Sequence, residues 1–191
     1  GWPMIDLMRQ EVFPRTHLDV TKRMGGGLAT FCSLVRDGAM PVMDRFDDSV
    51  EFHHLRDNIL VKAAVSWYTK HAGDDAVILT PLKSKRTVNV ERINELIFSL
   101  SKGEELYPGY KEGDRIMATR NNWYVGFANG EIFTLVRKGE DVYAVNKRVS
   151  VEINNGTILQ QSFTHAWAMS VHKAQGSEFS EVMVVMPQVA A

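Results

Sequence analysis

Apolar residues recur at helical spacing in two stretches of the first hundred positions. Leu55, Ile59, Leu60, Ala63 and Trp67 predict a helix over Leu55 to Lys70. Ile93, Leu96 and Ile97 predict another over Val88 to Leu100. Between them the unbroken run Ala76-Val-Ile-Leu-Thr80 follows a Gly73-Asp-Asp75 turn and is closed by Pro81, which reads as a buried strand. Helix, strand, helix in that order suggests a parallel α/β sheet. Upstream, Thr16 to Asp37 is helix-like through Leu18, Phe31, Leu34 and Val35, with Gly25-Gly-Gly27 splitting it in two. Residues 1–15, with Pro3 and Pro14, read as irregular, and Gly38 to Asp48 as loop.

The pattern changes after Gly109. Arg115 to Thr119 predicts a strand. Short β-rich runs follow at Ile132–Val136, Val142–Val145, Val149–Ile153 and Thr157–Leu159, separated by turns at Lys138-Gly-Glu-Asp141 and Asn154-Asn-Gly156. The second turn carries the Asn-Gly pair favoured in hairpins. Short strands this dense predict a small barrel inserted between about Gly126 and Ser162, with the α/β pattern resuming near Phe163. Ala166, Met169 and Val171, then polar His172, Lys173 and Gln175, predict a short helix stopped by Gly176. Val182-Met-Val-Val-Met186 before Pro187 predicts a buried strand.

Composition bounds these elements without redirecting them. The 191 residues are 45% hydrophobic and 24% charged, the balance of a globular protein with a core. The net charge of −1 provides no global field for nucleic acid, so any such contact is local. The single cysteine, Cys32, excludes an internal disulfide and suits a reducing compartment. No apolar run is long enough to span a membrane, and residues 1–20 lack a signal-peptide layout, so the cytoplasm is the expected location. No His or Cys spacing reads as a metal site, and Asp44, Asp47 and Asp48 read as a solvated loop.

The candidate chemistry concentrates after Phe163. A helix end bearing Ser170, His172 and Lys173 can donate to phosphates, and Glu178 can accept from a ribose hydroxyl. The same spacing also describes a solvated helix end. Thr80 closes a strand in a place where open α/β sheets hold ligands, or simply precedes Pro81.

Val171-His-Lys-Ala-Gln-Gly-Ser-Glu-Phe179 resembles motif V of superfamily 1 DNA helicases, in the RecD-like branch. Leu18-Asp-Val-Thr-Lys-Arg23 is similar to the block of that family that ends in an aromatic, Arg and Gln, although Lys22 and Met24 depart from it. Asp114-Arg-Ile-Met-Ala-Thr-Arg-Asn-Asn122 and Asn129-Gly-Glu131 resemble the stretch from which an SH3-like insert leaves the second motor domain. Gly1-Trp-Pro-Met-Ile-Asp-Leu7 resembles the stretch after motif III.

The resemblance implies an α/β fold: a RecA-like parallel sheet over residues 1–125 and 163–191, with an SH3-like β insert over 126–162. It implies single-stranded DNA contacts from Thr80, Ser170, His172 and Lys173. It implies nucleotide contacts from Gln175, Gly176 and Glu178, and a catalytic role for Arg23 on the γ-phosphate. An Arg suits that role because its charge is permanent and its fork matches phosphate oxygens. Arg120 and Asn121 could hold the insert against the motor domain or touch DNA, the structural role being favoured, and Trp123 and Tyr124 could stack on bases but are expected to pack the base of the barrel.

No Gly-x-x-x-x-Gly-Lys-Ser/Thr loop occurs, and no hydrophobic strand ends in an Asp-Glu pair. The implied role is therefore half of a motor. ATP and Mg2+ would be held with the first RecA-like domain of the same parent chain. Translocation would run 5′-to-3′, and the chain alone would not hydrolyse ATP. The alternatives are a nucleic-acid-binding module that works through its barrel and a regulator of a partner ATPase.

Overall fold

The computed structural model describes residues 2–10, 25–42, 46, 49–72, 75–83 and 88–187. Arg23, His17, the helix expected over 16–24, and Asp44, Asp47 and Asp48 lie outside the described residues. The chain divides into two units, Gly1–His54 and Leu55–Ala191.

In the first unit, α1 spans Trp2–Arg9 and α2 spans Gly26–Arg36. The first of these corrects the irregular reading over residues 2–9, while residues 11–15 lie outside the described residues. Pro3 sits in the first turn, where the missing N–H removes no helical bond and the fixed φ suits the helix. The glycine run ends as expected of a helix start: Gly25 is the N-cap residue and α2 begins at Gly26. Within this unit Phe31, Phe46 and Phe52 meet edge to face, with centroids 5.3–6.4 Å apart.

The second unit holds the remaining elements. Helix α3 (Asp57–His71) leads to β1 (Ala76–Thr80), and α4 (Val90–Leu100) follows. Helix α4 starts two residues later than its apolar period suggests. Asn89 caps it, accepting a hydrogen bond from Arg92 N at 2.8 Å. Two strands, β2 (Glu105–Tyr107) and β3 (Tyr110–Lys111), form a small hairpin. An antiparallel sheet then contains β4 (Arg115–Ala118), β5 (Ile132–Lys138), β6 (Asp141–Val145), β7 (Ser150–Glu152) and β8 (Phe163–His165), ordered β7-β6-β5-β4-β8. Strands β9 (Ala168–Ser170) and β10 (Glu181–Val184) flank β1 in a parallel sheet ordered β10-β1-β9, with α6 (Val171–Ala174) between them in sequence.

The central place of β1 explains its unbroken apolar run. A strand covered on both faces has no polar side to alternate with. Around it Ala64, Val65, Ile78, Val88, Ile93, Trp167 and Val185 form the α/β core. A second core lies under the antiparallel sheet, around Ile116, Phe127, Phe133, Leu135, Leu159 and Phe163.

Four expectations change here. Thr157–Leu159 is not a strand but part of α5 (Gly156–Ser162). The Asn-Gly pair starts this helix instead of turning a hairpin. The side chain of Asn155 accepts from Ile158 N at 3.2 Å, and Leu159 is fully buried. Gly156 lies against the Tyr107 ring, which a β-carbon would meet at 3.1 Å.

The second change concerns Ala166 to Met169, which are not helical. The strand β9 occupies 168–170, and the helix is only the four residues of α6. Third, β10 is not a buried strand. Among the described residues it pairs with β1 alone, and Val182 and Val184 are 45% and 55% exposed.

Fourth, Trp123 and Tyr124 do not pack at the base of the antiparallel sheet that stands where a barrel was expected. They are 76% and 105% exposed on a turn closed by the Asn122–Phe127 bridge, which buries Phe127 in their place. Arg120 and Asn121 are both hydrogen-bonded within the chain. Arg120 Nε donates to Ser162 Oγ at 2.9 Å, and Asn121 Oδ1 accepts from Asn129 N at 2.8 Å. Gly130, at φ +89°, supplies the left-handed turn expected of Asn129-Gly130.

Candidate nucleic-acid and nucleotide site

Residues 163–179 cross from the antiparallel sheet to the parallel one, and three side-chain devices hold their surroundings. Asn94 of α4 donates from Nδ2 to the carbonyls of His165 and Ala168 at 3.1 and 3.0 Å, and accepts from Ala168 N at 2.8 Å. His165 stacks on Trp167 at 4.6 Å, and its Nε2 lies 3.1 Å from the buried carboxylate of Asp114. Asp114 also accepts from Lys111 N at 2.7 Å. Arg115 reaches back across the sheets. It donates to Ala76 O at 2.7 Å and Asp75 Oδ1 at 3.2 Å, and lies over the Phe179 ring.

This frame presents the candidate side chains. Ser170 ends β9 opposite Thr80 at the end of β1. The Ser170 hydroxyl accepts from Lys173 N at 3.4 Å. Thr80 is fully buried, and among the described residues its hydroxyl has no hydrogen-bond partner.

His172 and Lys173 are exposed on α6, and Gln175, Gly176 and Glu178 are exposed in the turn that follows. Gly176 stands at φ +86°, and Ser177 N closes the turn on Ala174 O at 3.0 Å. Gly176→Ala should therefore destabilise the unit by about 1 kcal/mol, the cost of placing a β-carbon in the left-handed region. The urea midpoint measures this. An unchanged midpoint would mean that the turn relaxes freely.

His172, Lys173 and the Gln175–Phe179 turn line one wall of an open cavity of about 1150 Å3. The opposite wall comes from the antiparallel sheet, through Asn129–Thr134 and the β6–β7 turn with Lys147 and Arg148. Arg148 pairs with Glu131 on that wall. Although Lys173 as a residue is exposed, partial burial of its ammonium holds it below the ordinary lysine range, and repulsion from Lys83 adds to this. Burial pushes the Tyr68 phenol up, and Arg115 pulls against it.

The structure thus gathers Ser170, His172, Lys173, Gln175, Gly176 and Glu178 on one short segment, with Thr80 beside it but covered. Sequence reasoning missed Lys83, Asn94, Arg115 and Arg148. Only Arg115 lay on an expected strand, and its partners are some forty residues away.

Residues 165–191 match the family described as the UvrD-like helicase C-terminal domain. The chain is also 30% identical over 108 residues to the RecBCD enzyme subunit RecD of Buchnera aphidicola subsp. Acyrthosiphon pisum (strain APS). That alignment covers 56% of this chain and 17% of the relative. With the same subunit of Buchnera aphidicola subsp. Schizaphis graminum (strain Sg) it shares 32% over 77 residues, 39% of this chain and 13% of the relative. The chain is thus similar to RecD helicase subunits and, over residues 165–191, to the C-terminal domain of UvrD-like helicases. It spans less than a fifth of the length of these RecD subunits. A solved structure, unliganded Pif1 from Bacteroides sp, aligns with a TM-score of 0.36 at 15% identity, over 58% of this chain and 46% of that one. The helicase-like match begins at His165 and takes in α6 and the turn after it, the segment that carries six of the candidate site residues. Among the described residues no helix is long and apolar enough to cross a membrane.

Proposed function

We propose that this chain forms the second RecA-like motor domain of an ATP-driven helicase, with the antiparallel sheet as an SH3-like insert, and that it grips single-stranded DNA. The observation that carries this reading is the α6 segment. Ser170, His172 and Lys173 stand at the carboxyl end of a parallel strand, and Gln175, Gly176 and Glu178 follow on the next turn. A DNA contact and a nucleotide contact are then a few residues apart on one rigid crossover. A change at one is felt at the other without a long relay.

Within this reading the roles are the following. Ser170, His172 and Lys173 donate to backbone phosphates, which position a strand without reading its sequence. Thr80 contributes once the end of β1 opens to the strand. Glu178 accepts from a ribose hydroxyl, and Gln175 and Gly176 line the nucleotide. Arg23 stabilises charge on the transferring phosphoryl group. Among the described residues no three His, Cys, Asp or Glu side chains lie together as a metal site. Mg2+ would be held with ATP by the first RecA-like domain of the parent. ATP supplies the phosphoryl group whose loss lets the two domains part. The cytoplasm is the matching compartment.

Two measurements test this. A labelled oligo-dT should bind the chain with an affinity that falls as salt rises. Lys173→Glu should weaken it by more than about tenfold at low salt, because a phosphate contact becomes a repulsion. Salt-independent binding, or no effect of Lys173→Glu, would overturn the reading. Steady-state phosphate release by the chain alone should not exceed a no-protein control.

A second reading, a binding module working through the antiparallel sheet, draws on the exposure of Trp123 and Tyr124. Aromatics held out on a rigid turn can stack on bases. Under that reading Trp123→Ala removes binding and Lys173→Glu does not.

A further inference from the structure

Arg115 touches both ends of the crossover that carries the candidate site. Its carbonyl accepts from Ala166 N at 2.9 Å, where the chain leaves β8. Its guanidinium lies over the ring of Phe179, 5.5 Å from the centroid, where the site turn ends. The same guanidinium donates to Ala76 O at 2.7 Å and to Asp75 Oδ1 at 3.2 Å. Ala76 stands in register with Glu181, the first residue of β10. One side chain of β4 thus meets the beginning of β1 and the approach to β10, while its backbone is in register with Thr134 of β5.

The turn between these points is exposed at Gln175, Gly176, Ser177 and Glu178. Its ends, Ala174 and Phe179, pack against the cluster of Val77, Met117, Ala166 and Met169. Phe179 is only half-buried there, and Arg115 lies over its ring. The Arg115 side chain is 14% exposed, so its contact with the ring is largely shielded from water, where a cation holds an aromatic face best. Asp75 is 53% exposed, so that ion pair alone holds little. The Ala76 carbonyl and the ring are the contacts that fix the guanidinium. Only an Arg can fork in its plane onto a carbonyl and a carboxylate while its flat face rests on a ring.

We propose that Arg115 is the positioning residue of the Gln175–Phe179 turn, bridging Ala76 O and the Phe179 ring so that the turn follows the antiparallel sheet. This rests on the nucleotide-facing reading of Gln175, Gly176 and Glu178 above and adds to it what governs their placement. A displacement of β4 carries the Phe179 end of the turn with it. Ser170 is held separately, by the pairing of β9 with β1 and by the bonds of Asn94 to Ala168. The antiparallel sheet therefore acts on the nucleotide side of the segment and not on its DNA side.

The test uses the 191-residue chain, with backbone order read by amide spin relaxation. Order parameters over Gln175–Glu178 should be near the rigid value of about 0.85 in the parent and fall below about 0.6 in Arg115→Met, which keeps the stem and removes the fork. Arg115→Lys should not restore them. Phe179→Leu should lower them too, and reads the same linkage if Arg115→Met does not fold. The double variant should be no looser than either single one, since both break one linkage. Order in β5 and β6 should stay as in the parent, and oligo-dT affinity should stay within about twofold. A lower urea midpoint with unchanged turn order would make Arg115 a structural support only and overturn the proposal. A parent turn already below about 0.6, or additive effects of the two variants, would overturn it as well. Loss of oligo-dT binding as large as in Lys173→Glu would show that Arg115 holds the whole crossover, which also overturns it. If the turn loosens as expected while the parent binds no oligo-dT, the positioning role stands and the single-strand reading falls.

Discussion

Asn94→Ala is expected to destabilise the second unit by about 2–4 kcal/mol, because the buried N–H and C=O of Ala168 both lose their partner. The His165 carbonyl loses a third bond. Asn94 is 6% exposed, so water does not readily replace the amide. Its side chain acts as a short strand would, pairing with the backbone of β9 from a helix. Asn94→Asp keeps the acceptor for Ala168 N but sets a carboxylate oxygen against two carbonyls, and should be no better than alanine. Urea denaturation measures the change as a fall in midpoint at constant slope. The same variant should weaken oligo-dT binding even under conditions where it is folded, since β9 carries Ser170 and leads into Lys173. A loss below about 1 kcal/mol would show that the segment is held by its neighbours alone.

Phe133→Ala should cost about 3–5 kcal/mol, the largest effect of any single truncation considered for this chain. Phe133 is 1% exposed and meets Phe127 and Phe163 edge to face, with centroids at 6.4 and 5.8 Å. These three rings come from the 122–127 turn, β5 and β8, so the cavity left behind spans three separate segments. Phe133→Leu keeps most of the volume and should cost less, about 1–2 kcal/mol. Thermal or urea unfolding followed by near-ultraviolet dichroism reports both. A loss under about 2 kcal/mol for Phe133→Ala would mean that the antiparallel sheet collapses around the gap and that its packing is looser than these contacts imply.

Much of the second unit was legible because its apolar pattern had a single solution. Helix α3 and strands β1, β4, β5 and β6 stand where their periods put them, since each buries one continuous face or run. The errors share a cause: short segments whose local signal suits two structures. Asn155-Gly156 suits a hairpin turn or a helix cap, and the burial of Leu159 selected the cap. Ala166 to Met169 suits a helix or a strand, and the backbone of β1 on one side and Asn94 on the other selected the strand. Val182 to Met186 suits a buried or an edge strand, and only sheet order distinguishes them. Trp123 and Tyr124 are apolar by type, yet Phe127 on the same turn took the buried place.

The candidate site divides in the same way. The order Ser170, His172, Lys173, Gln175, Gly176, Glu178 is a local property, and the sequence by itself determined that these groups share one short segment at a helix end and its glycine stop; the strand before it came only from the structure. The sequence also determined that Gly176 must be glycine-like, because a left-handed residue is a property of its own backbone. Only the tertiary structure decided which groups face them. Lys83 stands ninety residues before Lys173, Asn94 seventy-four before Ala168, and Arg115 about forty after Asp75. The physical reason is range. Periodicity and capping act within a few residues, while a buried amide bridge needs groups that only the packing of α4 and β4 against the β8–β9 segment brings together.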